Sequence, residues 1–182
     1  MSTTIITSGA WLAAVNLIAR WLERRERLDA LLETLPASLA GAERARCTHL
    51  VFGVVRHFGR LESALGRLIA HPPRFSTRAV LFVAGFELIE AKGTPEADGI
   101  AAKVVHHAVE QTKTLASPAE SRLVNAVVRK LIAALAGAAP VAGKKGAATG
   151  PNEPAELAEY FSHPEWLVRM WLKQFGAEAT RT

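Results

Sequence analysis

The chain has a single cysteine, Cys47, among its 182 residues. One thiol cannot close an intrachain disulfide, which excludes a disulfide-built secreted scaffold. Cys47 lies beside Leu50 and Val51 on the apolar side of a helical pattern, so it is expected to be a buried structural thiol rather than a nucleophile. No apolar run approaches the roughly 18 residues that a membrane span needs. The start, Met1-Ser2-Thr3-Thr4-Ile5-Ile6, lacks the basic stretch of a secretion signal. A cytoplasmic protein without a membrane partner is the expectation. Strand signals are missing too: no two-residue alternation is sustained, and no hairpin dipeptide separates alternating runs. There is no internal repeat.

What is present is apolar and basic. Hydrophobic residues make up 49% of the chain, enough for a packed core without disulfides or metals. The formal net charge is +5 and the isoelectric point about 9.8. Arginine supplies most of the positive charge, and its planar fork suits phosphate. Charge alone is equally compatible with a nucleic-acid partner and with a basic surface that has no specific ligand.

The apolar residues recur at three- and four-residue spacing, so the fold class expected is all-α. Trp11, Leu12, Val15, Ile18, Ala19 and Leu22 form one stripe, with Thr7 or Ser8 as its cap. A short helix over Leu28 to Leu35 stops at Pro36. A third stripe, Cys47, Leu50, Val51, Val54, Val55 and Phe58, continues past a kink at Gly59 through Leu61, Leu65 and Leu68. His71-Pro72-Pro73 ends it. Ser76 is placed to cap a fourth helix carrying Val80, Leu81, Ala84 and Leu88, closed by Lys92-Gly93. Thr94-Pro95 opens a fifth with Ile100, Val104, Val105, Ala108 and Val109 inward. Ser117-Pro118-Ala119-Glu120 reads as a capping box with proline at the first helical position. It introduces a sixth helix with Leu123, Val124, Val127, Val128, Leu131 and Ile132. The organisation expected is a helical domain over 7–136, a Gly/Ala/Pro/Lys linker over 137–153, and a last helical element over 154–182.

Three of these helices resemble one family. Leu50-Val51-Phe52-Gly53-Val54-Val55-Arg56, Val80-Leu81-Phe82-Val83-Ala84-Gly85-Phe86-Glu87-Leu88 and Val124-Asn125-Ala126-Val127-Val128-Arg129 are similar, in order and spacing, to helices of NusB-like domains. The resemblance implies an antiparallel helical bundle. Further on, Ser162-His163-Pro164-Glu165-Trp166-Leu167-Val168, then Trp171-Leu172 and Phe175-Gly176, resemble the connector of the Sun/Fmu (RsmB) methyltransferases. Those enzymes carry a NusB-like domain ahead of a catalytic part that methylates carbon 5 of a cytosine in small-subunit ribosomal RNA with S-adenosylmethionine. The resemblance implies an RNA-binding domain that places this RNA for a catalytic domain beyond Thr182. NusB-like bundles also pair with a ribosomal protein and with one another, so a stand-alone antitermination or protein-interaction module is the alternative. Two departures stand out. Ser8 to Ala14 holds no arginine where the free antitermination factor is arginine-dense. His106-His107 stands where the family tends to have Asn-Glu.

No catalytic residue is expected in this chain. The nucleophilic cysteine of such enzymes belongs to their catalytic part, whereas Cys47 lies in the NusB-like region; S-adenosylmethionine is a cofactor of the whole enzyme only. Gly137 to Gly143-Lys144-Lys145 is not a phosphate loop. Its glycine spacing is one residue too long, no Ser or Thr follows the lysine, and no strand precedes it. Adjacent His106 and His107 point about 100° apart on a helix, so a metal site is not expected from them.

Arg46, His49, Gly53, Arg56 and Arg60 follow helical steps opposite the apolar stripe of the third helix. The glycine would admit either a phosphate backbone or another helix. Arg122, Arg129 and Lys130 share one side of the sixth helix. The candidate RNA-binding residues are therefore Arg46, Arg56, Arg60, Arg122, Arg129 and Lys130, which form one patch if both faces meet. The competing reading is a solvated face neutralised by partners such as Glu43 and Glu120. Arg20, Arg24, Arg25 and Arg27 interleave with Glu23 and Glu26 and read as such a face. Trp166, Leu167, Met170, Trp171 and Phe175 make the last helix strongly apolar on one side. That side either folds back on the bundle or meets another domain, with Trp166, Met170 and Trp171 as the candidate interdomain contacts.

Overall fold

The structure, a computed structural model, describes residues 8–136 and 153–180. Thr7 as a cap, the 137–152 part of the expected linker with its near-miss phosphate loop, and the last two residues lie outside the described residues. The described residues form α1 (Ser8–Arg24), α2 (Leu28–Glu33), α3 (Gly41–Arg56), α4 (Phe58–Leu68), α5 (Phe75–Ala91), α6 (Ala97–Leu115), α7 (Pro118–Leu135), α8 (Pro154–Phe161) and α9 (Glu165–Thr180). No strand occurs among them, and the all-α expectation holds. No helix among them is long and apolar enough to cross a membrane.

The bundle is organised around α5, which packs against α1, α3, α4, α6 and α7. Its expected inward stripe understated the burial. Every residue from Ala79 to Leu88 is buried, Phe82, Val83, Phe86 and Glu87 included. A helix apolar all round belongs in the middle of a bundle, because an amphipathic neighbour can cover each of its sides. Trp11, Ile18, Leu50, Leu61 and Leu131, from four surrounding helices, are fully buried with it.

Three helix boundaries depart from expectation. The chain breaks between α3 and α4 at His57 (φ −101°, ψ 14°) rather than at Gly59. The break turns Phe58 onto Phe82 and the edge of Trp21, at centroid separations of 5.1 and 5.0 Å. Helix α5 starts at Phe75, so Ser76 lies inside its first turn and caps nothing. Helix α6 starts at Ala97; Thr94 instead closes the preceding helix, its hydroxyl donating to the Ala91 carbonyl at 2.8 Å. Gly93 does take the left-handed conformation (φ 83°) that ends a helix. Ser117 caps α7 by accepting from the Glu120 amide at 3.3 Å. The carboxylate of Glu120 does not complete the box. It accepts from Thr77 Oγ1 at 2.9 Å and pairs with Arg74 at 2.8 Å, tying α7 to the start of α5.

The α8–α9 hairpin folds back on the bundle through α4. Arg67 pairs with Glu159 at 2.8 Å, and this hydrogen bond holds the Glu159 carboxyl below its ordinary range. Ser162, left-handed at the end of α8 (φ 57°), accepts from the Arg60 amide at 3.0 Å. That amide belongs to the first turn of α4, so a residue 102 positions away does the work of an N-cap. A Cβ on Gly59 would come within 3.4 Å of the Ser162 Cα. The glycine thus serves the hairpin's close approach, not a kink.

Cys47 is fully buried, and burial pushes its thiol up to about 11. At neutral pH almost none is thiolate, the reactive form. A thiol reagent is expected to leave the folded protein unmodified and to react at the rate of unfolding. Prompt labelling in native buffer contradicts this.

Candidate nucleic-acid interface

Arginine partners separate surface neutralisation from free charge. Arg20, Arg24, Arg27, Arg46, Arg67, Arg74, Arg78 and Arg169 each pair with a carboxylate. Arg44 donates to the carbonyls of Leu35 and Pro36. Four of the remaining arginines, Arg25, Arg56, Arg122 and Arg129, have no acidic partner among the described residues. Three of the four are sequence candidates.

Helix α7 carries two of them. Val124, Val127, Val128, Leu131 and Leu135 pack inward, so Arg122, Arg129 and Lys130 are left exposed on the outer side. Seven residues span about 10.5 Å of helix. Arg129 Nε donates to Asn125 Oδ1 at 3.0 Å, which orients its fork and leaves the terminal amines outward. No carboxylate among the described residues neutralises this stripe; Glu120, in the first turn of the same helix, is turned to Thr77 and Arg74. Arg56 is exposed at the end of α3. Helices α3 and α7 each pack on α5 rather than closely on one another, so their cations do not merge through helix contact.

Two candidates are spent on partners within the protein. Arg60 is 7% exposed. Its guanidinium donates to the Leu135 carbonyl at 2.9 Å and lies 4.4 Å from the Tyr160 ring centroid. It joins α4 to the end of α7 and to α8, and its place among the RNA-facing residues is corrected accordingly. Arg46 pairs with Glu87 at 2.9 Å and Glu90 at 3.3 Å, so its charge is already neutralised. Glu87 is 5% exposed and also accepts from the Trp11 indole at 2.9 Å. Burial raises its carboxyl above the ordinary range, against the pull of Trp11 and Arg46. His49 bonds Glu90. Trp11, within the stretch Ser8 to Ala14 that holds no arginine, is core.

Gly53 admits a helix, not a phosphate. A Cβ there would lie 2.1 Å from Cζ of Phe86. His57 stacks on the same ring at 5.8 Å, and burial lowers its pKa, with Arg60 and Arg56 adding to the effect. His106 is exposed, whereas His107 turns to the core edge and meets Trp11 edge-on at 4.8 Å. Its buried Nε2 has no hydrogen-bond partner among the described residues. Burial, then His106, lowers its pKa. No group of three or more metal-ligating side chains occurs among the described residues.

On α9, Val168 is buried against Leu157 and Ala158 of α8, while Trp166 (66%), Met170 and Phe175 stay exposed. Trp171 is half-buried, edge-on to His163 at 5.2 Å, and lines an apolar groove of about 340 Å³ with Leu157, Phe161 and Phe175. Phe52, which the charge pattern passed over, is the largest exposed apolar side chain of α3 (47%).

Comparison with known proteins agrees with this architecture. The ribosomal RNA small subunit methyltransferases B of Salmonella arizonae, Salmonella paratyphi B and Salmonella heidelberg are 26% identical over 159 residues, covering 86% of this chain. The chain spans about a third of their length, 33%. A crystal structure of the antitermination factors NusB and NusE in complex with dsRNA aligns with a TM-score of 0.58 at 21% identity, over 70% of this chain and 96% of that one. At that identity the likeness establishes the fold. The NusB family profile matches residues 10–133, from α1 almost to the end of α7. The chain belongs to the NusB family.

Proposed function

We propose that this domain binds RNA through the outer side of α7, with Arg122, Arg129 and Lys130 as phosphate contacts and Arg56 as a separate contact on α3. The carrying observation is that these exposed cations lack carboxylate partners among the described residues, while most arginines around them are neutralised. The solved complex of related fold contains dsRNA, and the similar methyltransferases are named for small-subunit ribosomal RNA. The reading extends to a module that places this RNA for a methyltransferase part of a longer chain. In this reading S-adenosylmethionine belongs to that further part, since the elements described are all helices and offer no strand-to-helix glycine turn for it. Trp166 and Met170, exposed on α9 with Phe175, are proposed to meet that further part, whereas Trp171 serves the hairpin itself. A complex with a ribosomal protein is the second reading, and the same exposed apolar side of α9 supports it.

The test is RNA affinity against salt. Wild-type protein is expected to lose affinity for ribosomal RNA fragments linearly on a logarithmic salt scale. Arg122→Ala with Arg129→Ala should reduce that slope by roughly 1–2 and weaken all sequences alike. Affinity that ignores salt, or a double variant that binds as wild type, sinks the proposal.

A further inference from the structure

The exposed ring of Phe52 is unexplained by packing. Its neighbours on the helix, Leu50, Val51, Gly53 and Val54, are buried, yet the ring makes no aromatic or cation contact with a described residue. On the turns to either side of it lie Ala45, Thr48, partly buried Val55 and His49, the last tied to Glu90. Arg56 follows one turn on, exposed and without a carboxylate partner among the described residues, where four-residue spacing puts the Cβ atoms about 6 Å apart. Glu90, an acid that α5 presents to this helix, is taken by Arg46 and His49. A protein-docking surface would need a broad apolar patch around the ring, and this face offers one exposed apolar ring beside one cation that no described carboxylate neutralises. Those dimensions match one base and its phosphate: unpaired bases stack on aromatic rings, and a neighbouring guanidinium takes the backbone.

We infer that Phe52 is a stacking platform for one unpaired RNA base, with Arg56 holding the adjoining phosphate. This rests on the RNA-binding reading above but adds a preference that the α7 stripe lacks. That stripe has cations and an amide and no ring, so it cannot tell unpaired from paired RNA by stacking. Phe52 can, because a base inside a duplex has no free face.

The experiment compares a single-stranded oligoribonucleotide with a blunt duplex of the same sequence, using the whole chain at fixed salt and then across salt. Phe52→Ala is expected to weaken single-strand binding roughly tenfold, leave duplex binding unchanged and leave the salt slope unchanged. Phe52→Trp should retain the single-strand affinity. Arg56→Ala should lower the slope by about one. Each variant should remain folded with one cooperative melt, since both side chains lie at the surface. The inference is overturned if Phe52→Ala binds single strands as wild type, or weakens both RNAs equally. If the α7 variants still weaken binding in that case, the RNA-binding reading survives and only the platform fails. If wild-type protein binds neither RNA, both fall.

Discussion

Gly53→Ala is expected to lower the stability of the fold by about 2 kcal/mol, as overpacking a filled core does. The sign is the informative part. On an exposed helix the same change gains about 1 kcal/mol, because alanine loses less backbone freedom on folding. Here the added methyl would sit 2.1 Å from Phe86 Cζ and 2.3 Å from its Cε1. The ring cannot easily retreat, because His49 and His57 lie at 5.5 and 5.8 Å from its centroid. Either α3 shifts away from α5 or the ring leaves its rotamer, and both lose packing around the central helix. Urea unfolding measures the loss. Combining Gly53→Ala with Phe86→Leu should cost less than the sum of the two single changes, since each relieves the other. Additive costs would mean that the contact is not what makes glycine necessary.

Arg46→Ala is expected to cost about 2–3 kcal/mol at neutral pH, somewhat under the usual figure for breaking a buried pair because Arg46 is itself partly exposed. Its loss leaves the Glu87 carboxylate in the core with the Trp11 indole as its one donor among the described residues. The pH dependence follows from the direction of the Glu87 shift. Its folded pKa is raised above the unfolded value, chiefly by burial. Such a group contributes stability that is fully present below the unfolded pKa and is lost as pH rises through the folded one. Arg46 opposes the rise, so removing it moves the folded value higher and enlarges that loss. The deficit of the variant should therefore grow from acid toward neutral pH and shrink on acidification. Unfolding free energies of both proteins between pH 4 and pH 8 test this, and a pH-independent deficit contradicts it. Arg46→Ala with Glu87→Gln should recover most of the deficit, because the amide keeps an acceptor for Trp11 without a charge to strand.

The same residues mark how far the sequence could be read. Helical periodicity, the proline stops, the glycine end at Gly93 and the cap at Ser117 are consequences of hydrogen bonds and side-chain contacts four residues apart or fewer. They are therefore written locally, and the all-α architecture was legible from them together with the three family-like helices. So was the outer stripe of α7, because Arg122 and Arg129 lie seven residues apart on one helix whose other side is apolar. Helix starts were less legible at Ser76 and Thr94, where a good capping residue sat next to a boundary set by other contacts.

Which cations remain free could not be read in this way. Arg46 and Arg56 occupy the same kind of position in the sequence pattern. One is taken by Glu87, 41 residues away, and the other is left exposed. Arg60 is spent on the carbonyl of Leu135, 75 residues away, and its amide is capped by Ser162, 102 residues away. The fate of Gly53 depended on Phe86, and the return of the α8–α9 hairpin on Glu159 meeting Arg67. By itself the sequence determined the helices, their inward sides, the fold class and the outer charges of α7. The tertiary structure alone decided which charges are neutralised, what the glycines admit and where the hairpin docks. The reason is that a helix face follows from spacing along the chain, whereas an ion pair or a close approach follows from which faces the packing of other helices brings together.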